Sequence, residues 1–338
     1  MKSLPASDNF LGIEEKELYE YEKSEVVIQQ VPYEHTSSYL TGSAKGPKAI
    51  VDASRFVEFY DEELDDETYK KCGIATLPEL DFKNKVDADA IAFIENETDR
   101  LIRDNKFVVS IGAEHTVTLG FVKAHAKKYQ NLCVLQIDAH SDLRSSYHGN
   151  VYSHASVMAR VHDLGIPITQ IGIRAQCKEE SDLIKASNTI HTFYAHEIRN
   201  PKPPVASLAV SGSPILNRPR RVSLKADPKP PMASLAVSGS QIPNPTWMDD
   251  VIATLSENVY LTIDADGFDP AVIPGVGTAE PNGLFWVETL TFLRKVFEAK
   301  NVVGFDVVEC APIEGQILSE YTLAKLIYRL IGYKKNRK

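Results

Sequence analysis

Short apolar, β-branched runs recur along the chain, separated by stretches with a different rhythm. The runs are EVVIQQV from Glu25, KCGIATL from Lys71, FVVSIG from Phe107, LCVLQID from Leu132, ITQIGIR from Ile168, TIHTFYA from Thr189, VYLTID from Val259 and VVGFDVV from Val302. Apolar residues at consecutive positions mark strands covered on both faces, as in a parallel sheet. Between them, DADAIAFIENETDRLIRD from Asp87 and TLTFLRKVFEAK from Thr289 carry apolar residues three and four apart. That is the spacing of helices laying one face on a sheet. Strand and helix alternate, so the class is α/β. In such sheets functional groups collect at the carboxyl edge, and several of these runs end there in polar, ligand-type residues.

One segment breaks the rhythm. Pro201 to Ser213 reads PKPPVASLAVSGS and Pro228 to Ser240 reads PKPPMASLAVSGS, with the basic spacer NRPRRVSLK between. Pro- and Ser-rich sequence of this kind cannot bury a core, and two units are too few for a solenoid. The expectation is one domain over residues 1–338, with residues 200–244 an insert in a surface loop that takes no part in catalysis. The rival reading is a docking segment carried by Arg218, Arg220 and Arg221.

Length and charge narrow the partners. A chain of 338 residues is long enough to bury a sizeable core as one open α/β domain. Its net charge of -9 argues against nucleic acid, which needs clustered positive charge; small molecules are the expected partners. The start, MKSLPASDNFLG, has no apolar stretch after its charge, and nowhere do about 18 apolar residues run together, so neither a signal peptide nor a membrane helix is expected and the reading is cytoplasmic. Cys72, Cys133, Cys177 and Cys310 lie far apart, three of them in apolar runs, which suits reduced packing residues better than disulfides.

The strongest chemical signal follows the fourth run: Asp138, Ala139, His140, Ser141, Asp142. Residues two apart in extended chain project to one face, so two carboxylates and an imidazole come to one side. Alone, this could be a catalytic dyad or chance. After VYLTI, however, come Asp264, Ala265 and Asp266, again carboxylates on one face, and then Gly267, Phe268, Asp269 and Pro270. Burying two carboxylates at the end of an apolar strand is costly without a cation, and a metal resolves the cost. Gly112, Ala113, Glu114, His115, Thr116 supplies a second imidazole, whose bland reading is a hydrogen-bonded histidine at a helix start.

These stretches, GAEHT at Gly112, DAHSD at Asp138 and DADGFDP at Asp264, resemble in order the three metal motifs of the ureohydrolases, the arginase and agmatinase superfamily. VPYEHTSSYLTGSAKGPKAI from Val31 is similar to the agmatinase N-terminal region, and the resemblance runs on through Ala311 and Pro312. It implies a three-layer α/β/α fold with a mainly parallel sheet of about eight strands. It implies that His115, Asp138, Asp142 and Asp264 hold one metal, and Asp138, His140, Asp264 and Asp266 the other, so that Asp138 and Asp264 bridge. A guanidinium carbon is a poor electrophile, so attack at neutral pH needs hydroxide drawn from water by two cations. Six oxygen and imidazole ligands without thiolate favour two Mn²⁺, with Fe, Co, Ni or Zn left open.

By the same resemblance, Asp266 orients the hydroxide and passes its proton to the leaving amine, Glu309 pairs with the substrate guanidinium, and His154 exchanges protons with solvent, its ordinary pKa near neutrality. Their bland readings are a structural salt bridge for Glu309 and a loop histidine for His154. The resemblance implies hydrolysis of agmatine to putrescine and urea by a homo-oligomer, a trimer or hexamer. Other guanidino substrates (arginine, guanidinobutyrate, guanidine) and a non-catalytic metal-stabilised scaffold are the alternatives. Ala113 and Asn282 stand where glycine is common. Arg144, two residues past Asp142, is the candidate for reading the substrate's far end: turned inward it would attract a carboxylate, turned outward it would pair with one of the protein's own.

Overall fold

Residues 1–199 and 246–337 are described by the computed structural model, and the duplicated segment at 200–244 lies outside them. The eight strands are β1 Val26–Val31, β2 Ile74–Thr76, β3 Phe107–Gly112, β4 Leu132–Ile137, β5 Ile168–Ile173, β6 Ile190–Tyr194, β7 Asn258–Asp264 and β8 Asn301–Val308. They form a single sheet in the order β2-β1-β3-β8-β7-β4-β5-β6, every neighbouring pair parallel. The expected α/β class and strand count hold, and the sheet is parallel throughout. One run was read too long. Lys71 and Cys72 end the helix Thr68–Cys72, and Gly73, at φ +59, turns the chain into β2. Such a turn suits glycine, which has no Cβ to clash at positive φ.

Alternate residues of the strands feed two cores. Cys133, Leu135 and Ile137 of β4 and Val259, Leu261 and Ile263 of β7 pack with the helices Gly46–Ser54, Trp286–Ala299 and Leu318–Lys335. Leu132, Val134 and Tyr260 pack with the helices Asp87–Arg103, Thr118–Lys128 and Val157–Asp163 on the other face. The result is the three-layer arrangement. Three of the four free cysteines are buried, as their apolar surroundings implied.

On the second face the apolar pattern is broken along one line. Ser110, Asp306, Thr262 and Gln136 are register partners from strand to strand across β3, β8, β7 and β4. Gln29 continues the line on β1, and Gln170 and Thr192 on β5 and β6. All but Thr192 are buried, and each is hydrogen-bonded within the protein, as buried polar groups must be. This polar row runs directly beneath the carboxyl ends of the central strands.

Candidate metal centre

The sequence-predicted ligands meet at the carboxyl ends of β3, β4 and β7. Asp138 follows β4 directly, His115 opens a single 3-10 turn after β3, and Asp264 closes β7 and caps the turn Ala265–Gly267 by accepting the Asp266 N–H at 2.8 Å. Gly267 lets that turn lie on Asp138: a Cβ there would stand 2.8 Å from the Asp138 nitrogen. Arg174, just past β5, ties the turn down, its guanidinium donating to the carbonyls of Asp266 at 2.6 Å, Phe268 at 3.2 Å and Glu280 at 2.8 Å.

Two clusters form around a shared carboxylate. His115 Nδ1 lies 3.0 Å from Asp138 Oδ2, 3.1 Å from Asp142 Oδ2 and 3.3 Å from Asp264 Oδ2. His140 Nδ1 lies 2.9 Å from Asp266 Oδ2 and 3.7 Å from Asp138 Oδ1. Asp138 thus turns one oxygen to each histidine. It is braced by the His140 N–H on Oδ1 at 2.6 Å and the Gln136 amide on Oδ2 at 2.7 Å. Asp266 is fixed by the Ala139 N–H at 3.1 Å and the Thr278 hydroxyl at 3.3 Å. All six residues are brought together. Asp138 enters both groups able to hold an ion, whereas Asp264 joins the one around His115.

Proton affinities report the crowding. Burial raises the Asp142 carboxyl to about 7, with the charge of Asp138 adding to it. Burial, then Asp266 and Asp138, push Asp264 well above the carboxylate range. Burial would lower both histidines, but the carboxylates win, lifting His115 well above its ordinary value and His140 to about 12. Burial likewise opposes, and the two histidines overcome, a shift that holds Asp138 well below its usual range. Protons here stand in for positive charge that the cluster needs. The buried His115 Nδ1 is within reach of three carboxylate oxygens, yet it makes no hydrogen bond. A nitrogen at the meeting point of three carboxylate oxygens fits a cation in place of its proton, and the all-oxygen and imidazole donor set fits a divalent one.

A cavity of about 200 Å³ opens above the clusters, lined by both histidines, Asp142, Asp264 and Asp266 together with Glu309, His154, Arg144, Tyr147, Thr278 and the segment Ser37 to Leu40. Glu309 sits just past β8 at φ +63 and accepts the His115 N–H at 2.7 Å, a backbone contact rather than a salt bridge. Burial and the charge of Glu114 push it up to about 8. His154 has Nδ1 3.0 Å from the Thr36 hydroxyl, which also accepts the His154 N–H at 3.0 Å. Burial, then the charges of His140 and His115, push it down to about 4. Arg144 lines the cavity with its guanidinium 5.4 Å from the Tyr147 ring centroid, and the ion pair expected of an outward orientation does not occur among the described residues. Asn282 holds a left-handed backbone at φ +69, which explains glycine's frequency there and why asparagine substitutes for it.

Sequence reading gave no role to Thr36, Tyr147, Thr278 or Arg174. The first lies in the stretch likened to the agmatinase N-terminal region, and Arg174 ends an apolar run as an unexplained charge. Both were visible signals.

Comparison with known proteins is consistent with this geometry. The model of the arginase family matches residues 24–210 and 240–332. The N(1)-aminopropylagmatine ureohydrolase of Synechocystis sp. is 38% identical, covering 95% of this chain and 92% of its own length. The agmatinase of Bacillus anthracis is 32% identical over 87% of this chain and 86% of its own. The crystal structure of the agmatine ureohydrolase of Thermoplasma volcanium superposes with a TM-score of 0.72 at 26% identity, covering 99% of this chain and 94% of that one.

Proposed function

The chain belongs to the arginase family and is a ureohydrolase, and we propose that its substrate is a cationic guanidine of the agmatine type, with N1-aminopropylagmatine preferred and agmatine itself second. The preference rests on the 38% identity, across 95% of the chain, to an enzyme named for the aminopropylated compound. The cavity mouth supports it: hydroxyls and aromatic rings at Ser37, Ser38, Tyr39 and Tyr147 can accept hydrogen bonds from an ammonium or stack on it.

The net reaction adds water across the guanidinium carbon, breaks its bond to the alkyl nitrogen, and releases urea and an amine that leaves protonated. His115, Asp138, Asp142 and Asp264 would hold one divalent cation and Asp138, His140 and Asp266 a second, Mn²⁺ by preference, and the pair would supply the charge that makes water nucleophilic at neutral pH. Glu309, one oxygen held by the His115 N–H, lines the cavity, and its carboxyl, pushed up to about 8, gives its proton to solvent as it pairs with the guanidinium. Asp266, held on both oxygens, orients the attacking water and carries its proton to the departing nitrogen. His154, fixed by Thr36, exchanges that proton with solvent.

The geometry that carries this reading is the shared Asp138 between two histidines. Urea release from the Mn²⁺-loaded chain, measured with N1-aminopropylagmatine, agmatine, arginine and 4-guanidinobutyrate, tests it. The highest kcat/KM is expected for the first. A preference for either carboxylate-bearing compound overturns the substrate assignment, and no urea from any overturns the reading.

A further inference from the structure

His115 can take a cation on Nδ1 only if its ring proton sits on Nε2, and the structure shows what would put it there. Nε2 lies 2.9 Å from the Thr262 hydroxyl, two residues before Asp264 and buried in the polar row. That hydroxyl has one proton. It lies 2.7 Å from Asp306 Oδ1 and 3.3 Å from the Thr118 hydroxyl, so its proton goes to the carboxylate. The other Asp306 oxygen accepts from Tyr260 at 2.8 Å and Thr118 at 3.1 Å. Three hydroxyls, of Thr262, Tyr260 and Thr118, thus converge on its two oxygens, which makes the Asp306 carboxylate the acceptor at the end of the row. An ionised carboxylate only accepts. The Thr262 oxygen is therefore left to accept from His115 Nε2–H.

We infer that Asp306 and Thr262 are positioning residues that fix the His115 tautomer, so that the inner half of the metal centre is set by a hydrogen-bond relay inside the sheet. Thr262 and Asp306 are direct register partners on β7 and β8, so strand pairing itself aligns the relay. The polarity of the chain runs in one direction, from the ring N–H through the hydroxyl to the carboxylate. Reversing it would move the ring proton to Nδ1 and block the cation. Outer partners of metal-bound histidines commonly contribute 10- to 100-fold in metal affinity.

The inference rests on the metal-centre reading, and the experiment separates the two. Mn²⁺ content and affinity would be measured for the full chain, with the His115 tautomer followed by ¹⁵N chemical shift after loading with diamagnetic Zn²⁺. Thr262→Val keeps shape and removes the hydroxyl, Thr262→Ser restores it, and Asp306→Asn keeps size but offers an amide able to donate to Thr262. The wild type and Thr262→Ser should bind two ions. Thr262→Val and Asp306→Asn should lose about 10- to 100-fold in affinity for one ion while keeping the other, with the proton signal leaving Nε2. Circular dichroism and the retained second ion report that the variants are folded. Two ions at wild-type affinity in Thr262→Val and Asp306→Asn would overturn the relay. A wild type that took up no metal would overturn the metal centre and the relay with it.

Discussion

His115 and His140 face the same Asp138 carboxylate from opposite sides, but their side chains are 1% and 29% exposed. The difference follows from where each stands. His115 is backed by the sheet, its second nitrogen tied to Thr262 inside the polar row. His140 follows the end of β4, at the mouth of the cavity. One half of the centre is thus set by strand register, which the whole core enforces, while the other half is set by a short turn and faces water. On the proposed reading, an ion beside His115 would be held out of contact with water, and one beside His140 would exchange with the medium.

The largest test of that contrast removes what the halves share. Asp138→Ala should empty both clusters and cut urea release by roughly 10³-fold or more. His140→Ala should keep an ion beside His115, and His115→Ala should keep one beside His140. Metal analysis during stepwise chelation of the wild type should find the His140 side emptying first. Simultaneous loss of both ions would erase the distinction.

A second test asks whether the inner side is as dry as its burial implies. His125 lies behind it, its ring centroid 4.7 Å from that of Tyr260. Its Nδ1–H donates to the Phe121 carbonyl at 2.8 Å, and burial pushes the ring down to about 4. The unfolded value is near 6.5, so between the two the unfolded chain binds a proton that the folded one refuses. Stability is therefore complete above about pH 6.5 and is lost as pH falls toward 4, by about 3 kcal/mol for this group. Denaturant unfolding of metal-stripped protein at pH 7 and pH 5 should give a smaller pH-dependent loss for His125→Gln than for wild type. Equal losses would mean that water reaches His125, and that the inner half is not sealed.

The same contrast separates what the sequence revealed from what it hid. The eight strands were legible because short β-branched apolar runs bounded by polar and turn residues suit strands covered twice, and the candidate ligands because three motifs resemble those of a known family in order. Run boundaries were less so: nothing in KCGIATL distinguishes the last turn of a helix from the start of β2 until Gly73 takes a positive φ. The polar row was present in plain letters, as Gln136 and Thr262 each stand two residues before a metal-site aspartate. Its meaning depends on strand order, which pairs Thr262 with Asp306 across 44 positions. His154 was found by motif, but its low pKa arises from burial and neighbouring charge, which no motif records.

The outer half ends at Arg144, where the smallest effect is expected. A free guanidinium at the rim would draw a carboxylate-bearing substrate inward by a bidentate contact, and its removal would then cost that substrate 10-fold or more. The structure has the group lying over Tyr147 instead, an arrangement worth about 0.5–1 kcal/mol at an exposed site. A charge so placed acts on an incoming ammonium mainly through solvent: at about 8 Å in water the repulsion is about 0.5 kcal/mol, or roughly twofold in rate. Arg144→Ala should therefore raise kcat/KM for N1-aminopropylagmatine and agmatine by about twofold and change it for 4-guanidinobutyrate by a similarly small factor in the opposite direction. The ratio of the two constants reports differential transition-state binding alone, so it is insensitive to how much of each preparation is metal-loaded. A tenfold or larger selective loss of the carboxylate substrate would mean that Arg144 leaves Tyr147 and turns inward during turnover, making the outer half a reader of acids rather than an open mouth for polyamines.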